Sequence, residues 1–391
     1  MRVVVVLEHR FRSTPDGRVW TDGPFASSFF GRYLDQFEHV EVIARVQPIS
    51  EPSPAWLRAD SDRVTFAPVP YYVGPREYLA HRQAVAAAIK RALQGDNAVV
   101  LRAPGQLANV AAQSLMRGRR PYGAEIVGDP YDAFAPGVGQ GSLRPLFRWQ
   151  QTRALKRLCR NAASIAYVTA SALQGRYPPA PGAFSTHYSS VEMPDEAFVS
   201  EPPKPRAGRP VRLITVGSME HLYKGQDVLL RALAACRRAG LDFTLTLVGD
   251  GSKRAWLEDL ADRLRLGEAV RFTGQLPSGA AVRQELDQAD IFVLPSRQEG
   301  VPRGMIEAMA RGLPCLGSSV GGIPELLPGS AMVRPDDATA LDALIRKSVS
   351  PKVRLLYAAQ NLAAARAYGD RELQGRRREF YEQITRQTAL Q

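Results

Sequence analysis

The chain has 391 residues, 51 Lys and Arg against 39 Asp and Glu, a formal net charge of +12, and 45% hydrophobic and 23% charged residues. That balance is ordinary for a soluble globular protein. No apolar run reaches the ~18 residues of a membrane span, and the opening M-R-V-V-V-V-L is too short for a signal-peptide core, so a cytoplasmic protein is expected. The length exceeds one comfortable core and predicts two domains. Residues 1–200 carry 23 basic against 17 acidic side chains and the remainder 28 against 22. The charge is therefore spread, and no aromatic-interleaved basic module points to nucleic acid.

Along the chain, Val3 to Leu7, Val40 to Arg45, Val64 to Pro68, Ala98 to Leu101, Ala124 to Val127 and Ile165 to Val168 read as strands. Helical stretches such as Ser27 to Phe37 and Tyr78 to Leu93 lie between them. Alternation of this kind predicts a mostly parallel α/β sheet. From Arg144 to Arg160 six basic residues occur without an acid, beside Leu143, Leu146, Phe147 and Trp149, with Leu155 and Leu158 further along. A basic amphipathic helix of this kind can lie on an anionic membrane at the inner face, as a peripheral contact. It can equally turn its apolar stripe to its own domain.

The segment 201–210, E-P-P-K-P-R-A-G-R-P, has four prolines and no apolar period, which is linker chemistry. The expected domains are 1–200 and 211–365, with a last helix in 366–391. After the linker the pattern restarts with Val211 to Val216, a helix over Gly225 to Ala239, strands at Phe243 to Val248, Val270 to Phe272 and Ile291 to Leu294, and another at Cys315-Leu316. Cys159, Cys236 and Cys315 are odd in number and far apart, which predicts reduced buried thiols rather than bridges or ligands.

The most informative stretch is Ser296 to Gly322, S-R-Q-E-G-V-P-R-G-M-I-E-A-M-A-R-G-L-P-C-L-G-S-S-V-G-G. It follows a short apolar run that reads as a strand buried on both faces, so it lies at a strand's carboxyl end, where open α/β sheets bind ligands. Pro302 suits the first helical position and Gly312 the left-handed stop, predicting a helix from Pro302 to Arg311. Free N–H groups at such a helix start attract phosphate oxygens. Glu299 precedes the helix and Glu307 sits ~7 Å along it, so the two carboxylates meet different parts of one ligand.

Two glutamates with seven residues between them, then E-A-M-A-R-G-L-P and V-G-G-I-P-E-L-L, resemble the donor-binding signature of the retaining GT-B glycosyltransferases, the large fourth family in particular. The resemblance implies two Rossmann-like doubly wound domains facing a cleft, with the C-terminal helix crossing back to the first. It implies a retaining glycosyltransferase moving a sugar from a nucleotide-diphosphate sugar to a hydroxyl, in polysaccharide or lipid-linked oligosaccharide biosynthesis, without a metal cofactor. By resemblance Glu299 binds hydroxyls of the donor sugar, the backbone at Gly300, Val301, Pro302, Arg303 and Gly304 its diphosphate, and Glu307 the ribose. The turn Gly217-Ser218 to Lys224-Gly225 matches the family in its lysine, which can hold the diphosphate, but has Ser218 where an arginine is usual. Either Arg303 or another basic group then replaces that clamp, or the donor is held differently.

Gly249 in L-V-G-D-G and Leu276 in F-T-G-Q-L also resemble donor-side positions, although tight strand-to-helix turns use the same residue types. In the first domain Gly23 and Phe25 stand where the family's acceptor loop lies, with one glycine where a pair is usual. Gly128-Asp129-Pro130-Tyr131-Asp132 stands where relatives often place a histidine. Asp129 is the candidate there, with Tyr131 beside it as an acceptor contact and a turn aspartate as the plain reading. Asp60-Ser61-Asp62 and the five histidines show no metal-ligand pattern, and no G-x-x-x-x-G-K-[ST] or early G-x-G-x-x-G occurs. Alternatives that share these features are transfer to a small natural product, a catalytically silent GT-B binding subunit, and an epimerase or phosphorylase.

Overall fold

The computed structural model describes residues 1–134, 143–206, 208 and 210–390. The chain divides into two compact units: Met1–Tyr188 with Gln374–Gln391, and Ser189–Leu373.

The strands of unit 1 are β1 (Arg2–Ser13), β2 (Val19–Thr21), β3 (His39–Pro48), β4 (Leu57–Arg58), β5 (Val64–Val69), β6 (Ala98–Ala103), β7 (Gly123–Ile126), β8 (Ser164–Tyr167) and β9 (Phe184–His187). Its helices are α1 (Ser27–Leu34), α2 (Gly74–Ala92), α3 (Gln106–Arg117), α4 (Pro130–Ala133), α5 (Arg144–Asn161) and α6 (Ala172–Arg176). Strands β5-β3-β1-β6-β7-β8-β9 form a parallel sheet in that order. Val3 to Val6 are wholly buried. Helices on both faces cover such strands, which explains an unbroken valine run instead of an alternating one. β1 runs six residues past the expected Leu7, and its end pairs with β2 antiparallel, which in turn pairs with β4. Asp60 of the D-x-D triplet accepts the Val19 N–H at 2.7 Å and pairs with Arg58 at 3.0 Å, fastening this hairpin.

Helix α13 (Asp370–Ala389) returns to unit 1, with Phe380, Tyr381 and Ile384 buried there. A Cβ at Gly123 would lie 2.1 Å from Ile384 Cδ1, so the strand is bare where the helix lies down. Beneath it Glu125 accepts hydrogen bonds from the hydroxyls of Tyr33 (2.9 Å), Tyr188 (2.8 Å) and Tyr381 (3.1 Å), and forms a close ion pair with Arg102. Burial would raise this carboxyl's pKa, but Arg102 and the tyrosine hydroxyls outweigh it and hold it below the ordinary value.

Unit 2 contains β10 (Val211–Val216), β11 (Phe243–Val248), β12 (Val270–Gly274), β13 (Ile291–Leu294), β14 (Cys315–Ser318) and β15 (Met332–Val333). Its helices are α7 (Gln226–Arg238), α8 (Arg254–Arg263), α9 (Ala280–Gln288), α10 (Arg303–Ala310), α11 (Ala338–Ser348) and α12 (Pro351–Ala365). The sheet is parallel in the order β12-β11-β10-β13-β14-β15. Strand order reverses between β10 and β13, as it does between β1 and β6 in unit 1.

The segment from Ser189 to Val199, expected with the first domain, is bonded to unit 2. Met193 N–H donates to Asp370 at 2.7 Å and Val199 N–H to the Ala310 carbonyl at 3.0 Å. The proline-rich stretch is likewise tied down, since Arg206 donates to the carbonyls of Asp287 and Gln288 at 2.9 Å. Ala207 and Arg209 of that stretch lie outside the described residues. Cys159, Cys236 and Cys315 are buried free thiols.

Candidate functional site

The candidate donor site forms at the switch point of unit 2, from the loop after β10 and the loop after β13. Gly225, in the left-handed region at φ 71°, turns the first loop into α7; a Cβ there would lie 2.0 Å from the Pro295 carbonyl oxygen, so only glycine permits the approach. Lys224, just before it, lays its stem over Gly217 and brings Nζ to Glu299 Oε1 at 2.7 Å and Oε2 at 2.9 Å. The two side chains are 16% and 5% exposed. Ser296 Oγ also donates to Glu299 Oε1 at 2.7 Å. Gly321 and Gly322 pack so closely on the backbone of Glu299 and Gly300 that a Cβ on either would collide with those carbonyls, and Gly322 N–H donates to the Gly300 carbonyl at 2.7 Å. The second glycine pair of the signature therefore props the loop that carries Glu299.

Pro302 is the N-cap of α10 rather than its first residue, and no side chain caps the helix. Its start faces the end of β10, with a Cβ on Gly304 3.1 Å from Val216 Cβ. A helix start with no side chain of its own on the free N–H groups is open to an anion. The other end closes as expected: Gly312 at φ 67° lets its N–H and that of Leu313 reach the Met309 and Ala308 carbonyls at 3.0 Å. Arg303 is exposed at the helix start and makes no ion pair among the described residues. The Glu307 carboxylate also makes no hydrogen bond or ion pair among the described residues; burial pushes its pKa up, against the opposing pull of Arg303 and Arg283. Ser218 uses its hydroxyl to accept the Glu220 N–H at 3.2 Å. Gly249 and Gly251 press against the loop after β10, where a Cβ would lie 2.2 Å from the Gly217 carbonyl oxygen and from Glu220 N. Leu276 is half-buried beyond β12.

Sequence reasoning missed Arg297. Its guanidinium grips Asp227 of α7 through two bonds at 2.7 and 2.9 Å, reaches Asp336 at 2.6 Å, and also donates to the Leu222 carbonyl. Arg297 N–H donates to the Tyr223 carbonyl at 2.7 Å. The arginine thus staples the Lys224 loop to the Glu299 loop and sets the distance between those two side chains. Burial would raise the pKa of Asp227, but Arg297 and Arg231 outweigh it and hold it below the ordinary value. An aspartate within an otherwise buried first helical turn was the available signal.

In unit 1 the switch point is occupied by the protein itself. Glu8 Oε2 accepts the Leu107 N–H at the start of α3 at 2.8 Å, and Glu8 Oε1 pairs with Arg45 at 3.0 Å. A carboxylate already sits where an anion would bind, so the two halves are not equivalent despite their shared topology. Nearby, His9 bonds Thr21 at 2.9 Å and packs on Phe25, and Gly23 lies against its ring. Burial lowers the His9 pKa to about 4, so the ring is neutral at pH 7. Asp129 caps α4 by accepting the Tyr131 N–H at 2.8 Å, pairs closely with Arg176, and accepts the Tyr177 hydroxyl at 2.5 Å. Both its oxygens are engaged within the unit. Tyr131 is exposed, and the guanidinium groups of Arg148 and Arg176 lie 3.5 and 4.5 Å from its ring centre.

Two doubly wound parallel sheets, with the last helix returning to the first unit, make this a GT-B fold. The sucrose-phosphate synthase from Thermosynechococcus elongatus superposes with a TM-score of 0.71 at 17% identity, over 99% of both chains. Anabaena HepE, solved in complex with UDP-glucose, superposes with a TM-score of 0.65 at 18% identity over the whole of both. Residues 210–350, within unit 2, match the family model described as "Glycosyl transferases group 1". Protein CapJ of Staphylococcus aureus is 25% identical over 332 residues, 84% of this chain and 82% of CapJ. Glycogen synthase of Mycobacterium tuberculosis is 36% identical over 146 residues, 37% of this chain and 34% of that enzyme. The amylovoran biosynthesis glycosyltransferase AmsK of Erwinia amylovora is 34% identical over 146 residues, 35% of each.

Proposed function

We propose that the chain is a retaining glycosyltransferase that moves a sugar from a nucleotide-diphosphate sugar to a hydroxyl of a glycan or lipid-linked acceptor, in polysaccharide or glycolipid biosynthesis. The observation that carries the reading is the Lys224–Glu299 pair held across the switch point of unit 2, beside an uncapped helix start and an unpartnered Glu307. The match of residues 210–350 to the group 1 family and the relatedness to AmsK support it.

In this reading the diphosphate displaces Glu299 from Lys224 and lies between that ammonium and the first N–H groups of α10, with Arg303 in place of the arginine missing at Ser218. Glu299, released, accepts hydroxyls of the donor sugar, and Glu307 accepts those of the ribose. The bond from the anomeric carbon to the phosphate oxygen breaks, the acceptor oxygen bonds that carbon on the same face, and the acceptor proton passes to the departing phosphate. Lys224 and the α10 N–H groups stabilise the charge that develops on it. The cationic groups of the chain itself fill the role a metal would take. Unit 1 holds the acceptor, with Gly23, Phe25 and Tyr131 lining its place and Asp129 fixing Tyr131 through the cap and Arg176.

The test is a thermal-shift screen of the full chain against UDP, GDP, ADP and their sugar conjugates, with and without Mg²⁺. Binding to the folded state raises stability by about RT ln(1 + [L]/Kd). One nucleotide should stabilise the protein, and Glu307→Ala should abolish the shift; no shift with any nucleotide refutes the donor site. A catalytically silent subunit would share the shift but release no sugar from the donor.

A further inference from the structure

The exposed face of α5 is a single stripe at helical spacing: Leu146, Trp149, Arg153, Lys156 and Arg160, with Arg157 beside it. The opposite face is the one that meets the core, through Leu155, Leu158 and Cys159. Leu143, Leu146 and Trp149 are 59%, 54% and 63% exposed, so the apolar residues at the start of the helix are not its core-facing residues. The helix contains no acid, and Arg153, Lys156, Arg157 and Arg160 make no ion pair among the described residues. A second patch lies across α3 from it. Helix α3 is bonded to α5 through Asn109 and Gln151 at 3.0 Å and to α2 through Gln106 and Tyr78 at 2.7 Å, and the start of α2 exposes Val73 and Leu79 near Arg76. Both helices begin at the carboxyl edge of the sheet, so the apolar residues of both gather there, while the charges of α5 run away from it.

We propose that this surface docks unit 1 on an anionic membrane. Leucines and a tryptophan enter the boundary between headgroups and acyl chains, and the indole suits that depth because its body is apolar and its N–H is wet. The four unpaired cations continue the same stripe and meet lipid phosphates. The four cations span about 10 Å of helix, at ~1.5 Å per residue, and continue directly from the exposed leucine and tryptophan; a protein partner would need acids in register beside an apolar pocket, whereas an anionic bilayer meets both parts of the stripe without register. Among the described residues no helix is long and apolar enough to cross a membrane. The docking stands on α5 and α2 alone. That the acceptor is lipid-borne, delivered to the edge where Gly23 and Tyr131 lie, rests on the glycosyl transfer proposed above.

The experiment is flotation of the full chain with vesicles of phosphatidylcholine alone and with about 30% phosphatidylglycerol, since the attraction scales with surface charge. Binding is expected only to the anionic vesicles, with release at about 0.5 M salt, where screening shortens the reach of each charge. The double variant L146E/W149E and the quadruple variant R153Q/K156Q/R157Q/R160Q should each bind at least about tenfold more weakly, given the apolar area and the charge removed. Both should keep the nucleotide thermal shift of unit 2, which separates failure here from failure of the donor site. Equal binding to neutral vesicles, no binding to anionic ones, or undiminished binding by either variant overturns the proposal. So does a wild-type dimer in solution that L146E/W149E converts to a monomer, which would make the face a contact between copies.

Discussion

Replacing Glu299 by Gln should move two measurements in opposite directions. The carboxylate neutralises Lys224 through two short contacts in a nearly buried position. A diphosphate that takes over Lys224 brings like charge within about 5 Å of it, and two unit charges at that distance repel by ~3 kcal/mol at an effective dielectric of 20. Salt and relaxation reduce this to about 1–2 kcal/mol, so free nucleoside diphosphate should bind roughly 5- to 30-fold more tightly to Glu299→Gln. The glutamine keeps the shape but loses charge-assisted bonds to sugar hydroxyls, each worth about 1.5–3 kcal/mol, so turnover should fall at least about 100-fold. Calorimetric titration with the nucleotide chosen by the screen gives the first quantity, and initial rates of sugar release give the second. Turnover unchanged within experimental scatter would refute the reasoning. So would equal weakening of nucleotide and nucleotide sugar with a large fall in Tm, which would make Glu299 a structural counter-ion.

Three further outcomes follow from the same framework. Arg297→Ala leaves Asp227 buried with only Arg231 and should destabilise unit 2 by about 3–5 kcal/mol in urea unfolding, with Arg297→Lys recovering part of it; an unchanged midpoint would remove the staple. Glu307 has a folded pKa raised by burial, so its ionisation lowers stability as pH rises from the ordinary carboxylate value through the raised one. Glu307→Gln should therefore raise Tm at pH 7 while weakening nucleotide binding, and a fall in both would contradict the assignment. His9, depressed to about 4, contributes stability that is fully present above pH 6.5 and is lost as pH falls through that window. Scanning unit 1 unfolding against pH should show this slope, and His9→Gln should flatten it.

The sheets were legible because short apolar and β-branched runs mark their strands: Val211–Val216 and Phe243–Val248, interrupted only by Arg212 and threonines, and the unbroken, wholly buried Ile291–Leu294 are strands over those same residues. Helix α10 was legible through its proline and glycine punctuation. The extension of β1, the short strands β2 and β4, and β9 were not, because their burial is broken and they are too short or too polar to show an apolar run. Residues 189–199 carried no local sign of attachment to unit 2, since the bonds that fix them reach Ala310 and Asp370. In the site, glycines and glutamates announced themselves by spacing, while Arg297 and Glu8 act through long-range pairs, and Asp227 showed only as a charge in an apolar helical turn, with no sign of its partner. The basic segment at α5 gave its charge but not its faces; only packing separates Leu155 and Leu158 from Leu146 and Trp149.

The return of α13 to Glu125 and Gly123 has a consequence for synthesis. Unit 1 is assembled from the first and last stretches of the chain, whereas unit 2 is one uninterrupted stretch between them. Domains ordinarily fold in the order they leave the ribosome. Here the first unit cannot close in that order: Glu125, Tyr33 and Tyr188 lack Tyr381, and Gly123 lacks the cover of Ile384, until the last helix has been made. Unit 2 takes no residue beyond Leu373, so the last helix is the closing stitch of the first half alone.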